Sequence, residues 1–375
     1  MLERHRFALL LSGGGAKAAY QVGVLKAITH LLPRNHSLPF PIICGTSAGA
    51  INATALACFA SCYHLGVRKL EWVWKNFRTH HVYASDFLPV FSHLLSGQMQ
   101  NLRAEQLANK PVSLLDNRPL RRLLKNTLDL SRIDRNILYG HLKAVSVTAS
   151  SYSTNESISF FQGQPELMPW QRAKRRGKRA MLNVEHLMAS SAIPMVFPSV
   201  KLEDQYFGDG SIHQLSPISP PIHLGAEKVL IVGTAQPKPD KRHQLQHHPS
   251  SAMVAGHLLD TIFADTLNSD LERLYRINHT LSLLPEKQRQ ATHLKPVECL
   301  LINPSVNFNE IAAKHYARLP RGIRSLMRIM GIRPDSESSL LSYLLFEGQY
   351  CQALIKQGYE DGLKRQEEIR GFLEI

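Results

Sequence analysis

The sequence predicts an α/β fold in which a mostly parallel central sheet is flanked by helices and followed by a mainly helical C-terminal extension. Three observations lead to this prediction. The apolar run Phe7–Leu11 ends in glycines and is followed by a helical pattern. A second apolar run, residues 41–44, ends in another glycine motif before a second helical pattern. A third run, residues 228–233, has four consecutive apolar residues between Lys228 and Gly233, as expected for a strand buried on both faces of a sheet.

The first two runs are expected to form a βαβ unit. Residues 16–32 carry apolar side chains at helical spacing, and Pro33 ends the pattern. The distance from Gly15 to Gly45 suits one crossover helix between parallel strands. The carboxyl ends of the two strands would then lie side by side, which brings their glycine motifs together.

Further strands are predicted where the pattern alternates or is continuously apolar. Residues 144–149 and 157–161 alternate apolar and polar side chains and flank a polar turn, whereas residues 299–302 form a last apolar run. Residues 237–250 are rich in Pro, Lys, Gln and His, so we expect a flexible connection there. The predicted division is a first domain of residues 1–236 and a mainly helical region of residues 251–375 that packs on it and includes one further strand.

The composition is that of a globular protein with an unusual charge. Of 375 residues, 44% are hydrophobic and 20% are charged, which excludes a largely disordered chain. The net charge of +14 favours contact with anionic surfaces, either phospholipid headgroups or nucleic acid. Five cysteines without a C-x-x-C pair are expected to be intracellular thiols rather than disulfides or a zinc site.

Export and membrane insertion are not expected. The apolar stretch near the N-terminus is too short for a signal peptide and runs straight into glycines. Residues 48–67 are apolar for the length of a membrane span, but polar side chains interrupt them, and we expect a buried helix. We therefore expect a cytoplasmic protein without a signal peptide or transmembrane helix, able to bind a membrane peripherally.

Ser47 is the candidate nucleophile because it lies in the sequence Gly45-Thr46-Ser47-Ala48-Gly49. Glycines two residues before and after a serine remove the Cβ atoms that would collide in a sharp strand-to-helix turn, and such a turn presents the serine hydroxyl. The same small residues also occur in ordinary strand-to-helix loops. The motif gains weight from its neighbours in the predicted sheet.

The glycines at residues 13, 14 and 15, with Ala16, precede a helix and would expose backbone amides to an anion. A nucleotide phosphate and the oxyanion of an acyl-transfer intermediate both fit. The spacing matches neither a Walker loop nor a dinucleotide fingerprint. Because the loop is expected beside Ser47, the oxyanion interpretation is favoured.

Two further features have alternative interpretations. Asp209 lies between Gly208 and Gly210, a sequence typical of a tight turn, and its competing role is the base for Ser47. Residues 172–179 carry six basic side chains, which are most simply an exposed loop and alternatively a contact for an anionic membrane. The six are Arg172, Lys174, Arg175, Arg176, Lys178 and Arg179.

Four motifs in order resemble those of the patatin-like phospholipases of bacterial type. They are Gly13-Gly14-Gly15-Ala16-Lys17, Gly45-Thr46-Ser47-Ala48-Gly49, Ala189-Ser190-Ser191-Ala192-Ile193-Pro194 and Asp209-Gly210. The resemblance covers about residues 6–235. It implies a three-layer patatin-like fold, acyl hydrolysis of lipids by a Ser-Asp dyad, and no metal or organic cofactor.

The resemblance also implies roles for individual residues. Ser47 would be the nucleophile and Asp209 the base, with the amides of Gly13, Gly14, Gly15 and Ala16 as the oxyanion hole. Lys17, Gly45, Gly49 and Gly210 would support them. The implied enzyme is of the phospholipase A or lysophospholipase type, cleaving carboxylic esters of phospholipids or lysophospholipids through an acyl-enzyme.

Three alternatives accompany this hypothesis. Ala18 and Ser211 depart from the usual family pattern, which motivates a lipid-binding or regulatory protein with little hydrolytic activity. His213 or His223 follows Asp209 in the order of a Ser-Asp-His triad, but too few strands precede Ser47 for that fold. Nucleic-acid binding is motivated by charge alone and is not expected.

Overall fold

The computed structural model of the protein describes residues 6–84, 113–237, 251–262, 266–333 and 338–375. The first half contains β1 (Phe7–Leu11), α1 (Ala19–Thr29), β2 (Ile42–Thr46), α2 (Ala48–Cys58), α3 (Tyr63–Lys75), α4 (Thr79–Val82), α5 (Arg118–Thr127), α6 (Ser131–Leu138), β3 (Ala144–Ser151), β4 (Glu156–Gly163), β5 (Trp170–Arg172), β6 (Arg175–Arg179) and α7 (Val184–Ser190).

The second half of the chain adds four strands to the sheet and nine helices among the described residues. It contains β7 (Val200–Leu202), β8 (Gln205–Asp209), α8 (Ser219–His223), β9 (Lys228–Val232), α9 (Ser251–Asp260), α10 (Thr266–Leu283), α11 (Glu286–Ala291), β10 (Glu298–Ile302), α12 (Phe308–His315), α13 (Arg321–Ile329), α14 (Ser339–Leu344), α15 (Gly348–Lys364) and α16 (Gln366–Leu373). Short 3-10 turns follow β1 at Gly15–Ala18 and β8 at Gly210–Ile212.

The described strands form one sheet, ordered β10, β9, β1, β2, β3, β4, β6 and β5, with β8 pairing beside β3 and β7 beside β8. Strands β10, β9, β1, β2 and β3 are parallel neighbours. Strand β4 is antiparallel to β3 and parallel to β6. The predicted α/β fold with a central sheet flanked by helices is confirmed, and the parallel block carries the candidate site.

Strand β1 shows why the sheet has a helical layer on each face. Successive side chains of a strand point to opposite faces, and all five residues of β1 are buried. Leu9 and Leu11 join the core that contains α1 and α2, whereas Ala8 and Leu10 join the core that contains Leu271 of α10. A continuous apolar run is therefore what this position requires.

The C-terminal residues pack closely on the N-terminal part of the chain. A Cβ atom on Gly23 of α1 would lie 2.1 Å from the carbonyl oxygen of Ile355, and one on Gly358 of α15 would lie 2.1 Å from that of Tyr20. These glycines let the two helix backbones approach each other. The division into residues 1–236 and 251–375 stays a prediction, and the expected connection at residues 237–250 lies outside the described residues except for residue 237.

The basic run differs from its simplest interpretation as an exposed loop. Residues 170–179 instead form the hairpin β5–β6, in which Arg172 pairs with Arg175. The hairpin lies at the edge of the sheet, where long charged side chains can remain in water and discourage pairing with another chain.

Across the described parts of the chain, no helix has both the length and the apolar character needed to cross a bilayer.

Candidate active site

Ser47 lies in a sharp turn between β2 and α2. Its backbone has φ 56° and ψ −130°, a strained conformation for a residue with a side chain. A Cβ atom on Gly45 would lie 2.4 Å from the carbonyl oxygen of Gly49, and one on Gly49 would lie 2.3 Å from that of Leu11. Only glycine fits at both positions, so the close crossing of α2 over the ends of β1 and β2 explains the motif.

Ser190 holds the backbone of the nucleophile. The amide of Ser47 donates a 2.8 Å hydrogen bond to the Ser190 hydroxyl, which donates a 2.6 Å hydrogen bond to the carbonyl oxygen of Thr148 in β3. Ser190 is fully buried at the end of α7. The sequence alone does not indicate this role of Ser190. The available signal was its place in the motif at residues 189–194.

Asp209 is the last residue of β8, beside Ala149 of β3. Its side chain is 1% exposed. The Oδ1 atom accepts a 3.0 Å hydrogen bond from the amide of Ser211, but none of the described residues donates to the buried Oδ2 atom. The next position, Gly210, has to be glycine, because a Cβ atom there would lie 2.0 Å from the carbonyl oxygen of Thr148.

The environment of Asp209 suits a base that works near neutral pH. Burial raises the pKa of its carboxyl to about 6, and the Ser47 hydroxyl and Ser211 amide only partly offset that rise. Ser47 is thus close enough to lower the pKa, yet its hydroxyl does not complete a hydrogen bond to Oδ2. Catalytic hydrogen bonds are often long without substrate and shorten when it binds, so this arrangement is compatible with proton transfer from Ser47 to Asp209.

The glycine loop lies beside Ser47, since Leu11 pairs with Gly45 and Gly15 lines the same cavity as Ser47. Gly15 has φ 54°, and a Cβ atom on it would lie 2.4 Å from the carbonyl oxygen of Tyr343. Two hydrogen bonds fix the loop, from the Thr234 hydroxyl to the carbonyl oxygen of Gly13 and from the Lys17 amide to that of Gly14.

The backbone of Gly14 is extended, with φ 162°, and a Cβ atom there would lie 2.9 Å from the side chain of Thr234. Ala16, the fourth residue of the predicted oxyanion hole, is fully buried in the 3-10 turn that follows. The oxyanion role of the loop stays a prediction.

Lys17 is held by the C-terminal residues. Its side chain is 1% exposed, and its Nζ atom lies 3.1 Å from Oδ1 of Asp260 and 3.9 Å from the centre of the Tyr343 ring. Burial lowers the pKa of Lys17, and Asp260 partly offsets this. The Tyr343 hydroxyl also donates to Asp260. Lys17 therefore anchors the turn after the glycine loop to α9 and α14.

The two histidines considered for a triad make other contacts. His223 stacks on Trp170 with ring centres 4.9 Å apart, and burial lowers its pKa to about 4. The amide of His213 donates to Ser150, and burial lowers the pKa of its ring. Neither ring makes a hydrogen bond to Ser47 or Asp209.

The basic hairpin is partly neutralised within the protein. Arg176 pairs with Glu156 at 3.0 Å and Lys178 with Glu203 at 2.5 Å. Arg179 donates to backbone carbonyls of residues 163–167, and Arg175 donates to the Ser216 hydroxyl. Arg172, Lys174 and Arg179 are exposed. The cationic surface offered by the hairpin is thus smaller than the six residues of the run.

Ser47 opens on a cavity of about 420 Å³ that apolar side chains mostly line. Such a cavity is of the size that proteins use to bind small-molecule ligands. Within the described ranges, no group of three or more His, Cys, Asp or Glu side chains is arranged to hold a metal ion. The chemistry available at this site is that of a serine hydroxyl, a buried carboxyl and backbone amides.

Comparison with known proteins supplies further findings. A family model described as patatin-like phospholipase matches residues 9–222, more than half of the chain. No curated protein matches the chain. VipD from Legionella pneumophila is 12% identical, with 97% of this chain and 67% of that chain covered and a TM-score of 0.35. The heterodimeric ExoU–SpcU complex from the type III secretion system of Pseudomonas aeruginosa matches at 15% identity, 97% and 77% coverage and a TM-score of 0.30.

Proposed function

The chain belongs to the patatin-like phospholipase family, a family of lipid acyl hydrolases, and we propose that it cleaves carboxylic ester bonds of phospholipids or lysophospholipids with Ser47 as nucleophile and Asp209 as base. The observation that carries the proposal is the pairing of a strained Ser47 with a buried carboxylate whose Oδ2 atom accepts no hydrogen bond from a described residue. That oxygen is available to accept the serine proton.

In the first step, Oγ of Ser47 attacks the ester carbonyl carbon while Oδ2 of Asp209 accepts the hydroxyl proton. The carbonyl oxygen becomes an oxyanion, which the amides at Gly14 and Gly15 would stabilise. The carbon–oxygen bond to the alcohol then breaks, and Asp209 returns the proton to the leaving alkoxide. An acyl-enzyme on Ser47 and a free alcohol or lysolipid result.

In the second step, water attacks the acyl carbon and gives a proton to Asp209. The bond from the acyl carbon to Oγ of Ser47 breaks, and the proton returns to Oγ. A fatty acid leaves and the resting enzyme is regenerated. Asp209 serves both steps, which requires it to be ionised in the resting enzyme.

The alternative of a lipid-binding protein with little activity depended on Ala18 and Ser211. Ala18 has φ −64° and ψ −11°, a conformation open to any residue, so glycine is not needed there. The amide of Ser211 donates to Asp209 and helps to orient it. Neither departure disturbs the site, which supports the enzymatic proposal.

A fluorophosphonate probe tests the nucleophile, because it reacts with activated serines. We expect covalent labelling of the wild type and mass-spectrometric assignment of the adduct to Ser47. A Ser47→Ala variant with an unchanged circular dichroism spectrum should remain unlabelled. A folded wild type that the probe leaves unmodified would contradict the proposal.

Peripheral membrane binding is proposed for exposed cations of the basic hairpin that have no carboxylate partner, chiefly Arg172 and Lys174, because four hydrogen bonds to backbone carbonyls hold Arg179. Each Lys or Arg near an anionic surface contributes about 1 kcal/mol. Replacing Arg172 and Lys174 by Ser should therefore reduce partitioning onto anionic vesicles by about 30-fold. The same replacements at Arg176 and Lys178, which are paired with carboxylates, are the matched control. Equal effects of the two pairs would rule out this assignment.

A further inference from the structure

The cavity at Ser47 is a groove that follows one face of α2. Ile51, Ala55 and Phe59 all line it, and their spacing of four residues places them on one side of a helix. Side chains of α3 such as Leu70 and those of α5 such as Leu124 also line the cavity. The groove therefore begins at the nucleophile and continues away from it between α3 and α5.

The length of the groove matches one acyl chain. Twelve residues separate Ser47 from Phe59, which is about 18 Å at the rise of an α-helix. The hydrocarbon core of a bilayer is about 30 Å thick and consists of two layers, so a single acyl chain spans about 15 Å. A chain attached to the ester at Ser47 would thus reach the neighbourhood of Phe59.

Two cationic side chains lie next to Phe59 at the far end of the groove. The guanidinium of Arg132 lies 4.4 Å from the centre of the Phe59 ring, and the ammonium of Lys69 lies 5.4 Å from it. Apolar groups are favourable before this point, whereas a longer chain would have to displace the ring or contact cations. Ala55, which is only 7% exposed, lies at the middle of the groove, where its single methyl group leaves space for a ligand.

We propose that this groove binds the acyl chain of the ester substrate and selects for its length, with Ala55 leaving room at the middle and Phe59 closing the far end. The proposal rests on the proposed function for the identity of the ester. It assigns a specificity-determining role to two residues that take no part in the bond-breaking steps.

The first test is a series of p-nitrophenyl esters, from butyrate through octanoate and laurate to palmitate. Each methylene that enters an apolar groove increases kcat/KM by up to about fourfold, so we expect a rise along the series. In Ala55→Phe, the ratio of kcat/KM for palmitate to that for butyrate should fall at least about tenfold. Ala291→Phe, a helical and exposed alanine outside the groove, is the control and should keep the wild-type ratio.

Phe59→Ala supplies the opposite change and remains decisive if Ala55→Phe does not fold. Removing the ring should move the preferred length beyond palmitate, towards stearate and arachidate. Damage to the fold would lower every ester alike and could not lengthen the preference. A palmitate-to-butyrate ratio unchanged in Ala55→Phe, or a preferred length unchanged in Phe59→Ala, would overturn the proposal.

A binding measurement separates this proposal from the proposed function. Trp72 and Trp74 line the groove, whereas Trp170, the remaining tryptophan, lies in β5. In Ser47→Ala, tail-brominated fatty acids should quench tryptophan fluorescence with an affinity that rises with chain length. Quenching without hydrolysis by the wild type would refute only the proposed function. Hydrolysis without chain-length-dependent quenching would refute only the acyl groove.

Discussion

Asp209 illustrates how a single buried residue can serve chemistry and weaken the fold at once. Its carboxyl is almost fully enclosed, and burial raises its pKa from 3.8 to about 6. A carboxylate with a raised pKa is a stronger base, which favours proton transfer from a serine hydroxyl. The same burial makes the ionised form less stable in the folded protein than in water.

The first prediction concerns the pH dependence of turnover. Because only the ionised carboxylate can accept the Ser47 proton, kcat/KM should be constant above about pH 7 and should fall on acidification with a midpoint near pH 6. Hydrolysis of a soluble ester between pH 4 and 8 measures this. A midpoint close to 4, the value of an ordinary aspartate, would show that burial does not tune the base.

The second prediction concerns stability. Between pH 3.8 and about 6 the folded protein holds a proton on Asp209 that the unfolded chain has lost, so folding stability falls as pH rises through this window and is flat above it. Asp209→Asn removes the buried charge and should stabilise the protein at pH 7 by about 1–3 kcal/mol.

Urea unfolding of the wild type and of Asp209→Asn at pH 4 and pH 7 gives the comparison. The advantage of the variant should be small at pH 4 and larger at pH 7. A variant that is less stable than the wild type at pH 7 would contradict the sign of this argument.

Among the structural elements, the glycine loop depends most on its surroundings. The local sequence explains its sharp turn, but its position is fixed by Thr234 and by the backbone of α14. Gly15 combines a positive φ with a close approach to the carbonyl oxygen of Tyr343. Its environment therefore excludes any side chain.

The third prediction uses this double constraint. Gly15→Ala should displace the loop and reduce kcat by about 100-fold or more through the loss of an oxyanion donor. Gly140→Ala is the matched control, since Gly140 has φ 74° but nothing within 4 Å of a Cβ atom. Backbone strain should cost each variant about 1 kcal/mol, the contact with Tyr343 adds to the cost in Gly15→Ala, and only Gly15→Ala should lose turnover. Equal kcat values would place the loop away from the reacting carbonyl.

In the molecule as a whole, the C-terminal region reaches back to the active site. The pair Lys17–Asp260 connects α9 to the turn after the glycine loop, and the 3.1 Å contact is almost fully buried on the lysine side. Tyr343 contributes a ring to Lys17 and a carbonyl oxygen next to Gly15. The C-terminal helices are thereby part of the support of the site.

The fourth prediction tests this support. Asp260→Ala leaves the buried Lys17 ammonium without its carboxylate and should destabilise the protein by about 1–3 kcal/mol, less than a fully buried pair because the Asp260 side chain is 37% exposed. It should also lower kcat more than it raises KM, because the loop loosens. Lys17→Met combined with Asp260→Leu should recover part of the stability, since no charge is left alone although the Tyr343 and Ser339 hydroxyls lose this acceptor. An unchanged kcat in Asp260→Ala would show that the Lys17–Asp260 pair does not support the active site.

Much of the architecture near Ser47 could be predicted because it is encoded locally. Apolar runs of strand length, glycines and one crossover helix suffice to place β1 beside β2, and with them the glycine loop beside Ser47. Asp209 was predicted from its motif and from the family resemblance, and the structure brings it to Ser47 although 162 residues separate them.

Other features could not be predicted, because they depend on contacts between distant parts of the chain. The sequence around Lys17 does not indicate that Lys17 pairs with Asp260. Likewise, the sequence around Gly15 does not indicate that Gly15 lies against the carbonyl oxygen of Tyr343. The basic run was expected as an exposed loop, but its pairing with β4 makes it a strand. The two hydrogen bonds that link the Ser47 amide through the Ser190 hydroxyl to the Thr148 carbonyl likewise form only once α7 and β3 are in place.

The most direct test of the Ser-Asp dyad is the release of fatty acid from a panel of phospholipids and lysophospholipids by four proteins. These are the wild type, Ser47→Ala, Asp209→Asn and His213→Ala. We expect Ser47→Ala and Asp209→Asn each to lose several orders of magnitude in turnover while remaining folded, because neither retains both nucleophile and base. His213→Ala should retain most of the activity. Near-wild-type turnover in Asp209→Asn, or a loss in His213→Ala equal to that in Ser47→Ala, would contradict the dyad.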